Sequence, residues 1–327
     1  MHKETTNTIN RNSKKNLILE IWKLIKNSQR ILIISHKHPD WDTLWAWTAW
    51  FEYLNSIWKN AHIACDSDIP LMLQFIPNTE FVKRDFDLNN FDLVIINDAW
   101  AKQIAGFIET HPELYEKRIP TINIDHHASN DMYWTVNLVE LVSSTTCLVY
   151  EIFEELWYKI SPKTATSLLT WIYTDTWSFK HSNTDSYTLR IASKLMSKWA
   201  NLKKISKNCF QTTKIPTMKL WWRVLSNIFR NEEWITTSVI KQEDFDETWS
   251  KYEDLTWVVD YLNSVPWSEY SILLTERDWK IKWSLRTEWD IDLTEIAWKF
   301  WWWWHKKASW FTIPWRLQKE VRRTVVD

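Results

Sequence analysis

The sequence predicts an α/β chain in which a parallel sheet with helices over residues 16–205 is joined by a helical linker, 206–232, to a smaller α+β domain over 233–327. Three observations predict it. Short β-branched runs at 30–35, 62–65, 91–96 and 120–124 alternate with stretches of helical spacing, as a parallel sheet requires. From Trp234 the texture changes, and 235–241, 270–276 and 280–286 alternate like half-buried strands. The length, 327 residues, suits two domains, each large enough to bury a core.

Along the chain, Met1 to Lys15 is polar and reads as a disordered tail without the apolar stretch of a signal peptide. Leu17, Ile21, Leu24 and Ile25 then mark a helix over 16–27. Arg30 to Ser35 is a buried strand, 43–54 a helix and 62–65 a second strand. Two more buried strands follow at 91–96 and 120–124, with helices at 144–156 and 162–173. Helices at 186–197 and 216–229 bridge to the second region, where Arg277-Asp278-Trp279 is a turn between two strands. No internal repeat is evident.

Composition narrows the function. A net charge of −1 gives no global pull toward nucleic acid or membrane, so any anion site must be local. Cys65, Cys147 and Cys209 are odd in number and widely spaced, which fits a reducing cytosol. No apolar run approaches the ~18 residues of a membrane span. The expectation is a cytoplasmic protein without membrane contact.

One feature of the composition is abnormal: 28 Trp against a single Gly, Gly106. Glycine normally runs near 7%, so roughly 23 would be expected. Turns and helix ends need residues that tolerate positive φ, and Trp tolerates it poorly. Trp also stands where Gly would be read, in Pro39-Asp40-Trp41-Asp42, Asp175-Thr176-Trp177-Ser178 and the run Trp301-Trp302-Trp303-Trp304-His305. Most of these Trp are therefore read as Gly, written by a UGA codon that translation elsewhere renders as Trp.

Three strands of the first domain end in acidic or imidazole groups. Ser35 leads into His36-Lys37-His38-Pro39-Asp40-Trp41-Asp42, Ile96 into Asn97-Asp98, and Ile124 into Asp125-His126-His127. Ligands of open parallel sheets collect at the carboxyl ends of strands, so these loops are expected to converge. Asp175 adds a carboxylate at a helix end. The set His36, Asp40, Asp42, Asp98, His126 and Asp175 holds oxygen and imidazole but no thiolate, which suits Mn²⁺ better than structural Zn²⁺. It is rich enough for two metals acting on a phosphoryl centre. Singly, each element is weak: an Asp after a strand is most often a helix N-cap. The order of the motifs at successive strand ends carries the weight.

These motifs resemble the DHH phosphoesterase family, in its small form with a DHH-associated C-terminal domain: the bacterial oligoribonuclease (nanoRNase) and 3′-phosphoadenosine 5′-phosphate (pAp) phosphatase group. The resemblance runs over nearly all of residues 16–315. It includes Trp171-Ile172-Tyr173-Thr174-Asp175-Thr176-Trp177 and the C-terminal Trp301 to Phe311, a glycine run followed by His in the family. It implies helices on both faces of the sheet and a second domain across a cleft. It further implies one metal on His36, Asp40 and Asp98, and a second on Asp42, Asp98, His126 and Asp175. Asp125 would orient a ligand His through its other ring nitrogen. His127 would touch the scissile phosphate, though packing against the sheet is nearly as good a reading. Asp98, His126 and His127 are the expected catalytic residues. Arg286, His305, Trp302, Trp303, Trp304 and Lys180 are the expected substrate contacts, with Lys306 and Lys307 competing with Lys180. Ser143 to Thr146 reads as a helix N-cap.

The implied activity is two-metal hydrolysis, by Mn²⁺ with Mg²⁺ or Co²⁺ as substitutes, of short oligoribonucleotides to nucleoside 5′-monophosphates and of pAp to AMP. A homodimer is compatible with it. Rivals are a cyclic-dinucleotide phosphodiesterase, a RecJ-type single-strand exonuclease, a family II pyrophosphatase and a non-catalytic nucleotide-binding protein.

Overall fold

The structure is a computed structural model that describes residues 11–35, 41–66, 69, 76–102, 104–107, 109–116, 118–277, 279–300 and 306–317. The chain divides into two compact units, Met1–Thr212 and Thr213–Asp327.

The first unit opens with helix α1 (Arg11–Asn27), which buries Ile18, Ile21 and Ile25 on one face. It takes in residues 11–15, read from sequence as tail; Lys14 holds it in place by ion pairs to Glu140 and Glu151. There follow β1 (Arg30–Ser35), α2 (Trp41–Ser56), β2 (Asn60–Ala64), β3 (Val82–Lys83), β4 (Leu93–Asn97), β5 (Thr121–Asp125) and β6 (Val136–Val139). Among the described residues four helices follow: α3 (Thr145–Glu155), α4 (Pro162–Asp175), α5 (Ser186–Ser197) and α6 (Leu202–Phe210). Their starts are written in the sequence. Ser161 accepts from Thr164 N with Pro162 behind it, Asp185 accepts from Thr188 N, and Asn201 accepts from Lys204 N.

The six strands form one parallel sheet in the order β3-β2-β1-β4-β5-β6. Leu32, Ile34, Val94 and Ile96 pack on one face with Phe91, Phe107 and Tyr115. Ile31, Ile33, Leu93 and Ile95 alternate with them and are equally inaccessible, so both faces are covered. That is why the strands read as continuous apolar runs. The order of pairing reverses between β1 and β4, which sets a crevice beyond the carboxyl ends of those strands.

The second unit contains α7 (Ile215–Ser226), β7 (Phe229–Arg230), β8 (Ile235–Ile240), α8 (Gln242–Thr248), α9 (Val258–Asn263), β9 (Tyr270–Arg277), β10 (Lys280–Arg286), α10 (Thr294–Trp298) and β11 (Ala308–Ile313). Its sheet runs β11-β10-β9-β8-β7, with β8 and β9 parallel and the other pairs antiparallel. One apolar cluster gathers Leu220, Val224, Val258, Leu262 and Leu273; another gathers Ile281, Leu285, Leu293 and Phe311. No described helix is long and apolar enough to cross a membrane.

The backbone bears on the Trp excess. Among the described residues fifteen non-Gly residues have positive φ, and nine of them are Trp. Trp58, Trp157, Trp177, Trp199 and Trp249 stand just past α2, α3, α4, α5 and α8, with φ of 62, 55, 45, 66 and 59°. Each of those ends is closed by the next residue's N–H reaching back five residues: Lys59 to Leu54, Tyr158 to Phe153, Ser178 to Tyr173, Ala200 to Leu195 and Ser250 to Phe245. This is the Schellman turn, whose left-handed position is filled by Gly. Trp58, Trp157, Trp199 and Trp249 meanwhile hold their indoles in solvent, 81–93% exposed. Nothing about the side chain accounts for them; the backbone asks for Gly, and this supports the recoding.

Candidate metal centre

The centre is assembled by residues that directly follow two neighbouring strands. Asp98 comes after β4, and its N–H donates to Ile124 O at 2.9 Å, so pairing with β5 continues into the loop. Its φ of 60° is left-handed, a conformation Asp accepts better than most residues. Asp125 ends β5 and is followed by His126 and His127. All four side chains are buried.

Asp98, His126 and His127 each present a ligand atom, and these lie within 4.8 Å of one another. His126 Nε2 is 3.5 Å from Asp98 Oδ1 and His127 Nδ1 is 3.7 Å from it. His126 Nδ1 lies 3.0 Å from Val142 O. A carbonyl only accepts, so Nδ1 carries the proton and a neutral ring turns the Nε2 lone pair toward the Asp98 carboxylate. Two acceptors at that separation call for a cation between them, a proton or a metal ion. The residues therefore fit a metal site. The backbone carbonyl behind His126 is the support that metal-bound imidazoles generally have.

Asp125 supports the neighbouring ring. His127 Nδ1 donates to Asp125 Oδ1 at 2.7 Å, and Asn130 Nδ2 donates to Asp125 Oδ2 at 2.6 Å. Burial pushes the Asp125 carboxyl up, but the His127 charge and hydrogen bond, with help from His126 and Asn130, hold it below the usual carboxylate range. The His oriented by Asp125 is thus His127. His126 is oriented by Val142.

The start of α3 differs from its sequence reading. Ser144 occupies the N-cap position without capping through its side chain. Thr145 instead donates from Oγ1 to Asp98 Oδ1 at 3.0 Å. No spacing rule singles out this Thr, because its partner is 47 residues away. Asn130 was missed for a related reason: an Asn after Asp-His-His reads as a turn former.

The remaining expected residues are placed as follows. Asp42 lies on the first turn of α2. Asp175 is the last residue of α4, half-buried, its Oδ2 accepting from Trp171 Nε1 at 3.1 Å. It is not in the Asp98–His126–His127 group. Beyond it, Trp177, Ser178 and Phe179 all have positive φ, and the exposed Lys180 sits over the Trp177 ring. In the second unit Arg286 ends β10, with Nε 3.4 Å from Oδ1 of the buried Asp260. His36, Asp40, Trp302, Trp303, Trp304 and His305 lie outside the described residues.

Residues 30–174 match the DHH family, N-terminal domain. The chain is 25% identical over 308 residues, 92% of its length and 88% of the relative's, to the "Bifunctional oligoribonuclease and PAP phosphatase NrnA" of Thermus thermophilus. It is 31% identical to the protein of that name from Mycoplasma genitalium over 194 residues, 58% of this chain and 60% of the relative. In fold it is similar to an exopolyphosphatase-related protein from Bacteroides fragilis, with a TM-score of 0.84 at 20% identity, over 94% of this chain and 92% of that one. The stretch that matches the DHH family, N-terminal domain, residues 30–174, contains the whole Asp98–His126–His127 group.

Proposed function

We propose that the protein is a metal-dependent phosphoesterase that cleaves short oligoribonucleotides to nucleoside 5′-monophosphates and pAp to AMP, in the cytoplasm. The observation that carries the reading is the buried Asp98–His126–His127 group at adjacent strand ends of a DHH domain. The names of the relatives supply the substrate class.

In this reading Asp98 and His126 hold metal, joined by His36, Asp40, Asp42 and Asp175, and the ions are Mn²⁺. Bound there, divalent ions supply a more acidic water and neutralise charge on the phosphoryl oxygens. The chain's own contribution is orientation. Val142 O fixes the His126 ring, while Asp125, held by Asn130, fixes the His127 ring beside Asp98. Burial of the group keeps bulk water from competing for the same oxygens. Arg286, His305, Lys180 and the 302–304 stretch are assigned to substrate phosphate and base, Arg286 for its bidentate fork. Residues 16–205 are then the catalytic domain and 233–327 the substrate domain.

The test is hydrolysis by the glycine-restored protein of a diribonucleotide, pAp, cyclic di-AMP and pyrophosphate, with and without Mn²⁺ and with Asp98→Asn as control. Turnover of the first two that needs Mn²⁺ and Asp98 is expected. Turnover of only cyclic di-AMP or only pyrophosphate would move the chain to another activity, and none at all would leave a nucleotide-binding protein.

A further inference from the structure

Thr145, the first residue of α3, has no exposed surface. A hydroxyl in that position must find a hydrogen-bond partner or cost the fold stability. Its partner is Asp98 Oδ1, at 3.0 Å. The same oxygen faces His126 Nε2 at 3.5 Å. Asp98 stands in a left-handed turn just past its strand, and a carboxylate in such a loop has two side-chain torsions to settle. A hydroxyl reaching across from a helix start removes that freedom.

The helix start is itself tied down. Thr188 Oγ1 and Ser143 Oγ are hydrogen-bonded at 2.8 Å, and Asn183 Nδ2 lies 3.3 Å from both Ser143 O and Asp175 O. Backbone and side chains thus link the end of α4, where Asp175 sits, through the start of α3 to Asp98. We propose that Thr145 is a positioning residue of the metal centre, setting the Asp98 carboxylate through its hydroxyl. The inference rests on reading Asp98 as a metal ligand.

The experiment is a calorimetric titration of the full metal-free protein with Mn²⁺ alone, for wild type, Thr145→Val, Thr145→Ala and Thr145→Ser, with a thermal melt of each metal-free variant. Valine keeps the shape and removes the hydroxyl; alanine relieves any crowding that valine introduces. Loss of a supporting hydrogen bond should weaken Mn²⁺ binding by about tenfold or more in both, and serine should stay within about twofold of wild type. Wild-type Mn²⁺ affinity in Thr145→Val or Thr145→Ala overturns the proposal, as does a lower melting temperature with affinity unchanged, which is the mark of a structural role. A wild-type protein that takes up no Mn²⁺ overturns the metal reading first and this inference with it.

Discussion

His127 Nδ1 and Asp125 Oδ1 meet at 2.7 Å in a pair almost wholly removed from solvent. The pair divides the work of three consecutive residues: Asp125 backs His127, while His126 turns away to the Val142 carbonyl. Asp125→Asn keeps the shape and discards the charge. Mn²⁺ affinity or turnover is expected to fall by about 10- to 100-fold, the usual cost of losing a carboxylate behind an imidazole. Asn130→Ala should act in the same direction and more weakly, since it removes one hydrogen bond to Asp125. Calorimetry and initial rates on both variants check the order.

The recoding predicts a stability pattern that ordinary substitution does not. A bulky residue forced to left-handed φ costs on the order of 1–3 kcal/mol, and Gly gives part of that back through its freer unfolded chain. Trp157→Gly and Trp249→Gly should each stabilise by about 1 kcal/mol. Trp222, exposed within α7, is the control: Trp222→Gly there should destabilise by several tenths of a kcal/mol, because Gly is the poorer helix former. Denaturant melts of the three variants would show gains at the first two and a loss at the third.

Arg286 is braced by the buried Asp260 at 3.4 Å and donates from Nη1 to Leu285 O. If it binds a substrate phosphate, Arg286→Ala raises KM for pAp by about tenfold or more, the scale of one charged hydrogen bond. Asp260→Asn should raise KM less, with kcat near wild type. Steady-state kinetics that showed kcat falling and KM fixed would assign Arg286 to another role.

Lys282 lies four residues before Arg286 on β10, over the Tyr252 and Trp310 rings at 5.2 and 4.4 Å. Burial, then the Arg286 charge, lowers it from 10.5 to about 8. The unfolded chain therefore binds the extra proton between those values, and stability from this group rises with pH across that window. Below about 8 both states are protonated and the fold bears the full cost. Lys282→Met should melt higher than wild type at pH 7, and the difference should close as pH approaches 10.5. Melts at pH 7, 9 and 10.5 test the sign.

What the sequence revealed and what it hid follow from length and distance. The strands around Leu32, Val94 and Ile122 are buried on both faces, so their apolar runs stood out, as did Asp98 and Asp125-His126-His127 at their ends. β6 was invisible because four residues with Asn137 in the middle carry no pattern, and β7 is only two residues long. The short α8, α9 and α10 have too few turns to show helical periodicity. Within the site, Thr145 and Asn130 act on partners chosen by tertiary structure, and Ser143 to Thr146 offered a local explanation that was sufficient by itself.

The tryptophans beyond five helix ends also bear on where such a gene can work. On the glycine reading, a cell that decodes UGA as tryptophan would spoil each of those turns independently, and mending one codon would leave the others broken. A cell that decodes it as stop would release the chain no later than position 58, at the first of those helix ends. The message is then confined to cells sharing its decoding, and moving it elsewhere requires rewriting the affected codons together.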